Sequence, residues 1–402
     1  MGFGQGLSGL NAAAQNLDII GNNIANSGTV GFKAGTATFA DVYAGSRVGL
    51  GVQVASVNQR FTTGIVSSTG NQFDMAIDGP NGFFRVVDSS DNVLYTRNGQ
   101  FFANKDNEIV NAQGQRLTGY AAGGTNLVPI TVPVGNIDPV ATTYINNTVN
   151  LDADATVVPA ATLFDPDDAA TYSNSIPITV YDSLGKEHRA TQYFTKRPAD
   201  TATNESVWDV NFVVQGATIT PSSTMELRFD DAGRVSTAPP STTVTINVPA
   251  GASPAQAMTV NMNFAGSTQF GGGYTQNFVL DGNRTGEYAS MSIGTNGEII
   301  ANYTNGAQTA VGTLALADFN NLQGLQPMGG NAWSETAASG QPILGQPGSN
   351  GLATIKGQAV EESNVDMSQE LVNMIIAQRT YQANAQTIKT QDQIMQTLIS
   401  MR

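Results

Sequence analysis

The chain contains no cysteine. Disulfides, thiolate metal ligands and cysteine nucleophiles are therefore excluded together. It has one histidine, His188, so no metal site can draw on two histidines, and a histidine-based triad would have to be built around that residue. Charge is scarce as well: Asp, Glu, Lys and Arg make up 12% of the 402 residues, about half the share usual in globular protein. The net charge is −14 and Lys and Arg form no stripe, which argues against nucleic-acid binding through counterion release. No run approaches the roughly 18–20 apolar residues of a membrane span. The first basic residue is Lys33, so the N-terminus lacks the layout of a cleavable signal. These features predict a cytoplasmic protein, or one exported without a cleaved peptide.

What replaces charge is amide and hydroxyl. Asn, Gln, Ser and Thr cover a surface that repels its neighbours weakly and suits close packing against other protein. Forty-three glycines and sixteen prolines mean many turns, and the length allows two or three domains.

The two ends read as helices. Leu10, Leu17 and Ile24 recur every seven residues, with Leu7, Ala14 and Gly21 in the adjacent row and Ile20 on the same apolar side. Such rows form one face, as in a coiled-coil seam. Asn26, Ser27, Gly28 and Gly31 then supply turn and left-handed conformations that stop the helix. At the far end Asp366 caps a second helix, with Gln369 as reciprocal partner. Met367, Met374, Tyr381, Ile388 and Met395 form its heptad row, flanked by Leu371, Ile375, Ala385 and Leu398. No Gly or Pro interrupts this run, so it predicts a helix of roughly 55 Å. Pairing of the two helices as a terminal hairpin leaves much of each seam wet, which points to partners outside the chain.

Between the helices the chain reads as strand and turn. Short runs broken by Asn81-Gly82, Asn98-Gly99, Asn296-Gly297 and Asn305-Gly306 predict hairpins. Thr-rich alternation from about Thr143 to Asn283 reads as a separate sandwich or barrel with one solvated face. The expected fold is multidomain: long α-helical termini forming a coiled-coil-like domain, plus two all-β domains, the second inserted in the first. The expected boundaries are 1–30 and 364–402 for the helical domain, and 31–70 and 324–363 for extended connectors, the latter partly β-domain. The inner β-domain takes 71–144 and 285–358, and the outer inserted β-domain 145–284. Gly45, Gly49, Gly51 and Gly64 are expected to give the first connector its bend.

Catalytic motifs are not supported. "GQGLSG", Gly4 to Gly9, fits a dinucleotide pattern by letter, but no strand precedes it and a helix follows. His188 reads as a strand-start residue on a solvated face, and the acidic stretch "FDPDDAA" as a solvated loop without Ca²⁺-loop order. No catalytic residue, cofactor site or metal site is expected.

"LNAAAQNLDIIGNNIANSGTVGFKAG" and "SNVDMSQELVNMIIAQRTYQANAQTIKTQDQIMQTLISMR" resemble the terminal signatures of the axial proteins of the bacterial flagellar rod and hook. Asn22, Asn23, Asn26, Gly31, Phe32 and Lys33 carry the first resemblance. Asn364, Asp366, Gln378, Arg379, Tyr381, Gln382, Asn384 and Gln386 carry the second. The segment from Phe73 to Phe101 resembles the β-domain that follows in this family. The length and the inserted middle domain are similar to its hook members. The resemblance implies a non-enzymatic homopolymer: a curved, flexible tube that passes torque from rod to filament and encloses an export channel. Its terminal helices would form the subunit interface. It also implies export through the flagellar channel and partners among the rod protein, hook cap protein, hook–filament junction protein and export apparatus, with no nucleic acid and no membrane insertion. The alternatives are a distal rod subunit or, outside the family, a secreted β-rich adhesin or binding module. Amides would suit a homopolymer's helices, because like charges facing each other in a partly dry interior repel strongly.

Overall fold

Among the described residues, α-helices occur only at the two ends: α1 (Phe3–Ala25) and α2 (Met367–Ser400). The structure is a computed structural model that describes residues 3–42, 49–220, 225–247 and 256–400. Asp366 starts α2 as expected, its Oδ1 accepting from the backbone N–H groups of Ser368 (2.9 Å) and Gln369 (3.1 Å). The Gln369 side chain donates forward to Asn373 instead of returning to the cap. At the end of α1, Ser27 Oγ donates to the Ile24 carbonyl and Thr29 Oγ1 to Asn26 Oδ1, and Gly31 takes φ +73°.

The expectation of long helical termini in a coiled-coil-like domain is overturned. In the described structure strand accounts for 44% and helix for 16%, with two α-helices among the described residues, and the molecule is a β-rich multidomain protein. A coiled coil needs a continuous apolar seam. The residues of α1 that are buried are instead Gly6, Ala12, Ala13, Ile20 and Asn23, mostly small or polar. They pack on α2 and on a β-ribbon together, not along one helical partner.

That ribbon is β1 (Gly35–Val42) paired antiparallel with β2 (Gly51–Gln59), with a register shift between Thr38 and Phe39. It belongs to a first compact unit comprising Met1–Val134, Ala289–Asn302 and Gln308–Arg402. The main sheet of this unit runs, in neighbour order, through Gln308–Leu314, Arg116–Ala121, Phe83–Val87, Val93–Thr96, Ala332–Ser334 and Gln326–Gly329. One cluster of its core is largely aromatic: Phe83, Tyr95, Phe319 and Trp333 are buried together. Phe61, just beyond β2, meets Phe83 at 5.7 Å and Trp333 at 5.6 Å, both edge-on, the arrangement that ring quadrupoles favour. Asn296-Gly297 makes the expected tight turn, with Gly294 N–H donating to the Glu298 carbonyl at 2.8 Å. Asn98-Gly99 serves a different need: a Cβ on Gly99 would lie 1.5 Å from the Met75 carbonyl oxygen.

The second unit comprises Gly135–Tyr288 and Tyr303–Ala307. It is a two-sheet sandwich. One sheet orders Asn174–Tyr181, Glu187–Asp200, Glu205–Val214 and Met225–Phe229; the other is centred on Tyr144–Asp152 and Met258–Asn263. Alternation puts Ile176, Ile178 and Val180 from the first sheet against Ile145, Val149 and Leu151 from the second, with Trp208 and Phe194 in the same core. His188 is not on a solvated face. It is buried, with Nε2 2.9 Å from Asp182 Oδ2, because the Asp182 turn that accepts from Leu184 and Lys186 N–H also aims its second oxygen at the ring.

Candidate assembly surface

Low charge makes each buried charge informative. Lys33, at the end of the N-terminal signature, is fully buried and places Nζ 2.6 Å from Glu361 Oε1, whose side chain is equally closed to solvent. Arg97 reaches the other oxygen, Nη1 to Oε2, at 3.1 Å. One carboxylate thus serves two cations. The excess positive charge is met by carbonyls and a ring: Lys33 Nζ donates to Thr62 O at 2.8 Å, and Arg97 Nη1 to Gly79 O at 3.0 Å. Arg97 Nη2 donates to Pro80 O, and the guanidinium lies 5.2 Å from the Phe83 ring centroid. Burial pushes the Lys33 ammonium and the Arg97 guanidinium below their ordinary values, while the Glu361 carboxylate pulls both back up.

Backbone and amides complete this clasp. Glu361 accepts from Gly31 N–H through its carbonyl and from Gly64 N–H through Oε1, both at 2.8 Å. Gly31 must be glycine, since a Cβ would stand 2.6 Å from Asn98 N. Asn364 Oδ1 accepts from Ala34 N–H at 2.8 Å, and its Nδ2 donates to Arg60 O at 2.6 Å. Asn23 is buried and exchanges both amide bonds with Gly35, Nδ2 to O at 2.8 Å and N–H to Oδ1 at 2.9 Å. Signature residues Asn23, Gly31, Lys33 and Asn364 therefore tie α1, the first connector, the β-core and the chain entering α2 into one polar knot. Phe32 lies half-buried in the same stretch, and Asn26 Nδ2 donates back to Asn22 O and Oδ1.

The helices run antiparallel. A Cβ on Gly6 would meet Ile388 at 3.1 Å, and one on Gly9 would meet the Asn384 side chain at 2.9 Å. On α1 the expected interface residues divide: Ile20 is buried, Leu10, Ala14, Leu17 and Ile24 are half-buried, and Leu7 is exposed. On α2, Met374, Ala385 and Ile388 are half-buried, whereas Met367, Leu371, Ile375, Tyr381 and Met395 are exposed. The Leu398 side chain lies outside the described residues. Gln378, Arg379, Gln382 and Gln386 are also exposed on α2. Gly51 and Gly64 sit at close approaches, where a Cβ would fall 1.9 Å from Ser8 Oγ and 2.0 Å from Glu362 O respectively. Gly49 accepts from Gln5 Nε2 at 2.7 Å; Gly45 lies outside the described residues.

Sequence reasoning missed Glu361, Arg97 and the small-residue face of α1. A usable signal existed for Arg97, an isolated charge between the VLYT strand and an Asn-Gly pair; Glu361 stands beside Glu362 and offers none. Among the described residues, no helix is long and apolar enough to cross a membrane and no group of three or more His, Asp or Glu residues is placed to hold a metal ion.

Four families match along the chain. Residues 5–33 match the flagella basal body rod protein family, and 76–158 the flagellar hook protein FlgE/F/G D1 domain. Residues 150–283 match the flagellar basal body protein FlaE D2 domain, and 356–401 the flagellar basal body rod FlgEFG protein C-terminal family. The chain is 44% identical over 415 residues to the flagellar hook protein FlgE of Salmonella typhimurium, covering 100% of both chains. It is 42% identical over 421 residues to that of Escherichia coli, again covering 100% of both. It is 30% identical over 446 residues to that of Borreliella burgdorferi, covering 99% of this chain and 98% of the relative. The crystal structure of the Helicobacter pylori flagellar hook protein FlgE2 shares the fold, with a TM-score of 0.54 at 14% identity over 74% of this chain and 99% of that one. With relatives this similar along their whole length, the chain belongs to the flagellar hook protein FlgE family.

Proposed function

We propose that this chain is a structural subunit, without a catalytic role, that polymerises through α1 and α2 into the curved, flexible tube of the hook. The observation that carries this reading is the uncovered apolar surface on both terminal helices, Leu7 on α1 and Met367, Leu371, Ile375 and Met395 on α2, in a member of the hook protein family. Only sister molecules present that surface at the concentration and repeat a tube requires. The clasp around Glu361 would carry load from the helices to the β-core, because charge-assisted hydrogen bonds are directional and stronger than neutral ones. The terminal helices would line the channel that the tube encloses. The rod protein, the hook cap protein, the junction protein and the export apparatus are the further partners proposed.

Electron microscopy of the purified chain at rising concentration tests the reading. Tubes are expected. A protein that stays monomeric at every concentration overturns it.

A further inference from the structure

α2 is longer than the helix it packs on. With Gly6 opposite Ile388, the start of α1 at Phe3 lies near Gln391, and the last nine residues of α2 run about 13 Å past it. This overhang carries Ile394, Met395 and Ile399, which are 55%, 57% and 71% exposed. A groove of about 640 Å³ lies between α1, α2 and the β1–β2 ribbon, with Ala13, Ile20, Phe39, Ile376 and Ala377 among its lining. We infer that the overhang of one copy docks in this groove of a second copy. The inference rests on the polymerising role above and names the contact that propagates the tube.

Three observations select this occupant. The overhang cannot reach its own groove, because Ile394 and Ile376 stand 18 residues apart on one unbroken helix, about 27 Å along its axis. Charge matches at the rim: Asp392 is the sole acidic or basic residue between Gln391 and Ser400, and of the two charged residues lining the groove Arg60 is half-exposed while its partner Glu370, 3.9 Å away, is buried. Polarity matches too, since Asn16, Asn373 and Asn384 line the groove and Gln393 and Gln396 flank the apolar residues of the overhang; amides pair in either orientation. The two surfaces are different patches of one molecule. Such a heterologous contact generates an open helical filament whenever its rotation does not close a ring, which is the outcome the tube requires.

Because the chain lacks cysteine, the contact can be trapped cleanly. In the full-length Ile394→Cys/Ala37→Cys variant, tubes treated with a short bis-maleimide should give a ladder of covalent oligomers, and each single-cysteine variant should give no ladder. Tubes without a ladder overturn the docking contact and leave the polymerising role standing; absence of tubes from the unmodified chain removes that role itself. A second variant series reads the charge match. Asp392→Arg should cut tube yield about tenfold or more through like-charge contact with Arg60, and adding Arg60→Gln, which removes the repulsion without setting a carboxylate beside Glu370, should recover most of it. Unchanged yield in the single variant, or failure of the pair to recover, overturns the inference.

Discussion

Lys33 and Glu361 are 328 positions apart in sequence, yet their side chains meet at 2.6 Å with neither exposed to solvent. The contact joins the chain just after the N-terminal helix to the chain just before the C-terminal one. Removing one partner of a buried pair costs more than the pair is worth, because the other charge remains uncompensated.

Glu361→Gln should therefore destabilise the first unit by about 3–5 kcal/mol, as it strands two buried cations. Lys33→Met should cost less, since it leaves the Arg97–Glu361 pair neutral overall. Denaturant unfolding of the two variants checks the order; equal losses would mean the carboxylate is not shared.

Gly31→Ala asks whether that clasp tolerates any side chain. The positive φ alone costs about 1–3 kcal/mol for a residue with a Cβ, and the Asn98 backbone adds a collision. A thermal melt should drop clearly. An unchanged midpoint would mean that the connector relaxes around the new methyl group.

In the second unit, burial pushes the Asp182 carboxyl up, but hydrogen bonds from His188 and from Lys186 and Leu184 N–H outweigh it and hold the group below its ordinary value. A carboxyl so held contributes stability above its ordinary value, near pH 4, and loses that contribution as pH falls through the folded value. Calorimetry of the full chain from pH 5 to pH 2 should show this loss. Asp182→Asn should lower stability at pH 6 and flatten the acid dependence; an equally steep acid loss in the variant would remove Asp182 as its source.

Leu7 is exposed on α1, so Leu7→Asp should leave the monomer's melting unchanged while blocking tube formation. Deletion of 366–402 should also block assembly, with a soluble product whose β circular-dichroism signal persists. Normal tubes from either variant would take the helix faces out of the interface.

Much of this architecture was legible in advance. The helix at 367–400 follows from an apolar period unbroken by Gly or Pro, behind an Asp366 cap. The sandwich strands follow from two-residue alternation such as Asn174–Tyr181, whose residues alternate between buried and exposed. The buried face of α1 was not legible. Heptad rows of leucine, with Ile20 on the same side, marked one face, whereas Gly6, Ala12, Ala13 and Asn23 join Ile20 in being buried. Small residues and an amide carry little hydrophobic signal, although they permit the closest approach. His188 misled for a related reason: strand alternation does not reveal that a turn six residues earlier supplies a carboxylate.

The order of residues by itself determined the local matters: where helices begin and end, where strands alternate, and how little charge is available to a surface meant for its own kind. Those depend on neighbours within a few positions. Tertiary structure alone decided which cations share Glu361, why Gly31, Gly51 and Gly64 admit no side chain, and which helix faces stay uncovered. Each of these depends on distances between segments remote in the chain, and no local period encodes such distances.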